Sequence, residues 1–363
     1  MPKFDITPVD FRQRNVNACD FFSRLLNTEQ TYRSSGLCLE VLKIILGTKA
    51  TRLGPIADDA QQARMLPIVE HYMNLGQPIP FVCPWGSEKP DGSGIDVAEL
   101  MAIWTLTTLN QKVKLFYPPG LQFNIRIENV SAPHLFFHRP DRARDEAARY
   151  TDSFIALTNV LGVSDVVRPW PESKFCSEKT FNNEADTYLT LFKSCIRKVF
   201  MSEDVSREHK LMWDMGWKGE IHREEVIHYL NCYRQLYSEL DQGDHLEMAA
   251  RYYAACLARV RLGLVGIDKA WTGDHLQIYF NAPVVRGSDS TRYNRVHYRT
   301  MPTQFTTNHV APWRGFGYLL VDEAGAYTPK LRSPAEERTL VPNVMRLVGN
   351  GGQVDVRADL FYC

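Results

Sequence analysis

The chain has 363 residues, enough for one large domain or two smaller ones. Its 42 basic residues match its 42 acidic ones and the pI is about 7.1, so no basic footprint argues for nucleic acid. No apolar stretch approaches the ~20 residues of a membrane helix, and the opening MPKFDITPVDFRQRN lacks the apolar core of a secretion signal, which makes a cytoplasmic location the expectation.

In chain order, residues 1–34 read as an irregular arm with a short helix around Asp20–Leu26. Leu37–Leu46 is apolar at helical spacing, and Asp59–Leu75 reads as a second helix closed by Gly76. Pro78–Cys83 is a short apolar run bounded by Gly76 and Pro84, the pattern of a buried strand. A polar loop with Lys89, Asp91, Gly92 and Gly94 follows. Asp96 then opens a helix with Glu99 three residues on, a capping box. Val97, Leu100, Met101 and Trp104 give that helix a core face. Phe116-Tyr117-Pro118-Pro119-Gly120 breaks the pattern, after which Phe123, Ile125 and Ile127 alternate with polar residues as a strand. Asp145–Leu161 reads as a helix stopped by Gly162, and Val163–Val167 as the next strand, closed by Pro169.

From Asn183 the character changes to long helices: Glu184–Phe200, Glu208–Met215, Arg223–Leu240 and Leu246–Leu262. Strands return at Leu276–Asn281, Val296–Arg299 and Phe316–Val321, with a polar loop at Asp289–Asn294. The tail after Pro334 shows one short helix-like piece and the Gly-rich Gly349–Gly352. The pattern predicts an α/β fold: a Rossmann-like, mostly parallel sheet with a long-helix section over about 183–264 and a C-terminal β segment. An arm (1–34), a body (35–330) and a tail (331–363) form one integrated unit in this reading. The eight cysteines, at 19, 38, 83, 176, 195, 232, 256 and 363, contain no CxxC pair and read as reduced thiols.

Several residues have a functional and a structural reading side by side. Lys89 stands either in an anion-binding loop at a helix N-terminus or in a solvated surface loop; the glycine spacing fits neither a Walker loop nor a dinucleotide fingerprint. Tyr117 either packs or donates a hydrogen bond into a site, within a turn made rigid by Pro118 and Pro119. Arg126 lies on the polar face of its strand, as an anion ligand or a surface residue. Arg295, His297 and Arg299 alternate along one strand, so they share a face. They form an anion site with a proton shuttle or an exposed sheet edge, with Arg286 and Arg292 nearby. His222 and His228 are six apart, which is not an i,i+4 pair, so no metal site is expected there despite Glu224 and Glu225. Trp213 and Trp217 read as core or interface residues.

The order of these blocks resembles a known family. Lys89 in a loop, Asp96-x-x-Glu99 opening a helix, and Tyr117-Pro-Pro-Gly before a strand are similar to the pyoverdine/dityrosine biosynthesis family, which includes the amino-acid isocyanide (isonitrile) synthases. Ala311-Pro312-Trp313 followed by Gly317-Tyr318-Leu319-Leu320-Val321-Asp322 and Gly325 resembles a second family block, and Gly216-Trp217-Lys218-Gly219 a third. The resemblance implies an enzyme of secondary metabolism that condenses the amine of an amino acid with the ketone of ribulose 5-phosphate, without a metal or organic redox cofactor. It raises Glu99 from a helix cap to an acid/base, with His297 and Lys89 beside it in the catalytic set. Arg126, Arg295, Arg299, Arg314 and Tyr117 become the substrate-binding set, and a homodimer the assembly to test. Three positions depart from the family pattern. Arg314 replaces the histidine after Pro-Trp, and a guanidinium cannot exchange a proton. Glu128-Asn129-Val130 stands in place of an Asp-Gly, and Trp85-Gly86 in place of a Phe-Pro. A diverged amine–sugar-phosphate condensation and a non-catalytic binding protein on the same fold are the alternatives.

Overall fold

The computed structural model of the protein describes residues 15–17, 36–47, 59–87, 89, 94–217, 221–264, 276–280, 295–300, 311–312, 315–332, 339–350 and 352–362. They fall into two units. The first comprises 1–127, 149–170 and 269–363, and the second 128–148 and 171–268.

The first unit is built on a five-stranded sheet. Its strands are β2 (Ile79–Trp85), β3 (Leu121–Ile127), β4 (Val167–Pro171), β5 (Leu276–Phe280) and β6 (Arg295–Tyr298), in the order β4-β3-β2-β5-β6. β2 runs parallel to both β3 and β5, and β5 runs parallel to β6. From β2 the chain builds outward through β3 and β4, then returns to the other side of β2 with β5 and β6. The order therefore reverses between β2 and β5, and in such sheets ligands bind beyond the C-terminal ends of the strands at that point.

Helix α3 (Val97–Lys114) connects β2 to β3; α1 (Leu37–Leu46) and α2 (Asp59–Asn74) precede them. α3 is buried over nearly its whole length, from Val97 to Val113, as expected of a helix covered on several sides. The core around it joins Phe81, Phe123, Ile125, Leu100, Ile103 and Phe154. The turn after α3 is set by two features. Gly120 has φ +70°, a left-handed conformation, and Asn110 Oδ1 accepts the Leu121 N–H at 2.7 Å. The Tyr117 hydroxyl lies beneath this turn, within hydrogen-bond reach of the carbonyls of Gln77 (2.7 Å) and Tyr72 (3.0 Å).

Two small sheets complete the unit. β7 (Phe316–Val321) pairs antiparallel with β8 (Tyr327–Arg332) and parallel with β11 (Asp359–Tyr362). β9 (Val344–Gly349) pairs antiparallel with β10 (Gly352–Arg357) and parallel with β1 (Asn15–Asn17). The described part of the tail is largely strand; residues 333–338, at the start of the tail where a short helix-like piece was expected, lie outside the described residues. The tail's turn is formed by Asn350 at φ 42° between two strands whose residues alternate in burial. The expected strand at Val163–Val167 is displaced. Val163 accepts from the N–H groups of Val166 and Val167 in a turn, and β4 starts only at Val167. Pro169 is tolerated there because β4 is an edge strand.

The second unit is helical. It holds α4 (Ala132–Leu135), the start of α5 (Pro140–Val160), α6 (Glu178–Met201), α7 (Ser206–Asp214), α8 (Arg223–Leu236) and α9 (Gln242–Arg261). α6 starts six residues earlier than its apolar pattern suggests, because Ser177 Oγ caps it by accepting from Thr180 N at 3.1 Å. α9 starts early for the same reason, with Asp241 accepting from Asp244 N at 2.8 Å. Trp217 packs edge-on against Phe192 and Tyr253, whereas Trp213 is 54% exposed. The Arg259 guanidinium is buried, with its Nε donating to Glu172 at 2.6 Å and Nη2 3.1 Å from Glu128.

None of the helices among the described residues is long and apolar enough to cross a membrane. Cys38, Cys83, Cys176, Cys195 and Cys256 are free thiols.

Gly120 offers a direct check on the α3–β3 turn. A Cβ there would lie 2.3 Å from Asn110 Oδ1 on a left-handed backbone. Gly120→Ala is expected to cost at least ~2 kcal/mol, from left-handed strain plus overpacking. Urea unfolding should show a lowered midpoint; a midpoint equal to wild type would contradict this account of the turn.

Candidate functional site

The site begins with a backbone requirement. A helix N-terminus leaves N–H groups without intrahelical partners. At α3, Asp96 Oδ1 accepts from Ala98 N at 2.6 Å, and Glu99 Oε2 accepts from Asp96 N at 2.8 Å. Both halves of the capping box expected from the sequence are therefore present. Each carboxylate then has one oxygen left, and both point to Lys89. Its Nζ lies 3.0 Å from Asp96 Oδ2 and 2.9 Å from Glu99 Oε1. Nζ also donates to the carbonyls of Pro312, in a short hydrogen bond, and Gly315, at 2.9 Å.

Two blocks more than 200 residues apart in sequence thus meet at one ammonium group. The contact is close. Gly317 N–H donates to Asp96 Oδ2 at 3.0 Å, and a Cβ on Gly317 would stand 2.2 Å from Ala98 N. Only glycine fits there without moving β7 or α3.

The cluster continues inward. Tyr150, on α5, donates its hydroxyl proton to Glu99 Oε1 at 2.9 Å, and Trp85 Nε1 donates to the Tyr150 hydroxyl at 2.8 Å. Lys89, Asp96, Glu99, Tyr150 and Trp85 are each no more than 1% exposed. The sequence reading missed Tyr150 and Trp85. Tyr150 looks like one more core position of a helix; its signal is a polar tip that a buried tyrosine must satisfy.

Burial dominates the electrostatics. It pushes the Glu99 carboxyl up to about 8, against the Lys89 ammonium and the Asp96 N–H that favour its ionised form and with the nearby Asp96 charge. For Lys89, burial opposes the charged form, but Asp96 and Glu99 together outweigh it and hold the ammonium above its usual range. One cation facing two carboxylates would bury an unpaired negative charge; a proton on Glu99 removes it. Burial, which raises the Tyr150 phenol well above its usual range, keeps that group neutral.

The other expected residues are distributed unevenly. Arg126 is buried one residue from the C-terminal end of β3, in register with Pro84, on the sheet edge that leads to Lys89. Arg295 and His297 stand at alternate positions of β6, opposite Gln277 and Tyr279; their side chains lie outside the described residues. β6 ends at Tyr298, so Arg299 follows the strand rather than sharing its face, and burial pulls its guanidinium below the usual range. The next carbonyl, of Thr300, accepts from Thr105 on α3 at 3.3 Å, which puts Arg299 beside the helix that carries Glu99. Arg286, Arg292, Trp313 and Arg314 lie outside the described residues. Tyr117 is not brought to this cluster: it follows the opposite end of α3, ~27 Å of helix away. Among the described residues no group of three or more His, Cys, Asp or Glu is placed to hold a metal ion.

A parallel sheet with a reversal point, and a buried lysine–carboxylate cluster at its C-terminal edge, define an α/β protein with a candidate site beyond the carboxyl ends of its strands. Over 150 residues, 39% of this chain, it is 28% identical to the isocyanide synthase–NRPS hybrid crmA of Aspergillus fumigatus, and the match spans 10% of that relative. In fold it is similar to the PvcA protein of Pseudomonas aeruginosa, with a TM-score of 0.56 and 17% identity, covering 90% of this chain and 99% of that one. No family model matches the chain.

Two measurements test the cluster's electrostatics. Lys89→Met leaves two buried carboxylates without their cation and should cost ~3–5 kcal/mol in denaturant unfolding. Glu99 adds a pH dependence. Its folded value of about 8 lies above the ordinary 4.5, so the folded state holds this proton more tightly than the unfolded state. Its contribution is complete below 4.5 and is lost as pH rises through about 8. Glu99→Gln should flatten the wild-type fall in stability across that window; an identical pH slope in both proteins would contradict the raised carboxyl.

Proposed function

We propose that the chain is an isocyanide-synthase-like enzyme that joins the amine of an amino acid to the ketone of ribulose 5-phosphate. The single observation that carries this reading is the meeting of Lys89, Asp96 and Glu99 with the Pro312–Gly315 backbone. It lies at the sheet edge where α/β folds bind ligands, in a chain similar to an isocyanide synthase–NRPS hybrid and folded like PvcA.

The chemistry asks for a group that can both give and take a proton near neutral pH. Imine formation removes a proton from the attacking nitrogen and delivers one to the departing hydroxyl, which leaves as water. A carboxyl titrating near the working pH serves both steps, and Glu99, held at about 8, has that property. Because Glu99 is fully buried, its proton must pass through Lys89 or Tyr150, the two side chains within hydrogen-bond reach of Oε1. Tyr150 leads inward, to the indole of Trp85. Lys89 leads to the backbone on either side of Trp313 and Arg314. The scheme takes Lys89 as the outlet. Arg126, Arg295 and Arg299 supply positive charge for the phosphate and carboxylate of the two substrates, with His297 as a second proton-transfer group. No metal or organic redox cofactor takes part in the proposed reaction.

A second reading has its own observation. Every charged contact of Lys89 and Glu99 is satisfied within the protein, at no more than 1% exposure. A buried cluster of this kind can serve as a structural pin in a non-catalytic relative that binds sugar phosphates.

Glu99→Gln separates the two. Glutamine keeps the capping box but cannot exchange a proton. The enzyme reading predicts a folded variant that binds ribulose 5-phosphate by calorimetry and turns over at least ~100-fold more slowly. Near wild-type turnover would leave the cluster structural and pass the proton-transfer role to His297.

A further inference from the structure

Hydrogen-bond direction is forced along one chain of this cluster. An indole N–H only donates, so the Tyr150 hydroxyl must accept from Trp85 Nε1, 2.8 Å away. With Glu99 ionised, the single hydroxyl proton then points to Glu99 Oε1, 2.9 Å away. Glu99 Oε2 is already taken by Asp96 N–H, and Lys89 Nζ shares Oε1 at 2.9 Å. Tyr150 and Trp85 are almost fully buried, which shields both contacts from bulk solvent. Both also pack against Phe154, with ring centroids 5.0 Å from Trp85 and 6.5 Å from Tyr150, which fixes the two rings. Here a donor-only side chain lies behind the hydroxyl and a carboxyl oxygen ahead of it.

We propose that Tyr150, oriented by Trp85, is a positioning residue that aims a hydrogen bond at Glu99 Oε1 and so sets the pH at which Glu99 exchanges its proton. The proposal rests on reading Glu99 as the proton-transfer group. Three donors reach the Glu99 carboxyl: Asp96 N–H, Lys89 and Tyr150. Each stabilises the ionised form, while burial and the charge of Asp96 oppose it. Among the described residues these are the titratable and charged groups that face Glu99. Removing the Tyr150 donor leaves Lys89, Asp96 and the packing in place, so the Glu99 titration should move upward. Strengthening that donor should move it downward. A purely structural tyrosine predicts neither shift.

The test reads Glu99 directly. In protein labelled with 13C at the glutamate side-chain carboxyls, the resonance missing from Glu99→Gln identifies Glu99, and its pH titration gives the midpoint without any need for turnover. Tyr150→Phe should raise that midpoint by about one pH unit, the equivalent of one hydrogen bond to a charged group. Site-specific 3-fluorotyrosine at 150, whose more acidic phenol donates more strongly, should lower it and covers the case in which Tyr150→Phe does not fold. If the chain turns over, the pH–rate profile should follow the same shifts. A midpoint unchanged by either substitution, or moved in the same direction by both, overturns the positioning role. Absence of turnover with the predicted midpoint shifts would reject the enzyme reading and leave this one standing.

Discussion

One buried ammonium group holds the first unit's distant segments together. Lys89 brings a full charge to a place where it is 1% exposed, which is costly unless every donor is used. Asp96, Glu99 and the carbonyls of Pro312 and Gly315 use them all. These partners come from the start of α3 and from the segment before β7, so the loop after β2, the helix and the C-terminal sheet are fixed by the same group. The tolerance is small. Asp96 caps α3 with one oxygen and takes both Lys89 and the Gly317 N–H with the other, at a separation of β7 and α3 that admits no side chain at 317.

The position of the cluster explains its charge. Asp96 and Glu99 occupy the N-cap and first turn of α3, where the helix dipole favours negative groups. The parallel sheet aims the C-terminal end of β2 at the same point. Capping needs, dipole and sheet topology thus converge on one place, and burial then drives the titration of Glu99 into the neutral range. A structural solution to a helix end has thus placed a buried carboxyl with a raised titration at this point.

Much of this was legible in the sequence, for local reasons. The capping box is a spacing of three residues, and the alternation of β3 and the helical periods are patterns within one element. The backbone partners of Lys89 at Pro312 and Gly315 were not legible, because a hydrogen bond to a carbonyl more than 200 residues away has no local signature. Tyr150 sits in a helix at a position that any core aromatic could fill, and only the neighbouring indole and carboxyl give its hydroxyl a role. Tyr117 belongs to a motif that was read correctly as a rigid turn, but the length of α3 carries it to the other end of the helix. The strands of the tail carried a signal that went unused: Gly349-Asn350-Gly351-Gly352 between alternating segments is hairpin chemistry.

The most direct measurement supplies the protein with ribulose 5-phosphate labelled with 13C at C2, together with a panel of amino acids, and follows the label by NMR. The account predicts a product in which the labelled carbon is bonded to the amino-acid nitrogen, formed only when both substrates are present. Ribulose 5-phosphate that binds yet keeps its label in the sugar with every amino acid would contradict it, and would make the Lys89–Asp96–Glu99 cluster a structural pin in a binding protein.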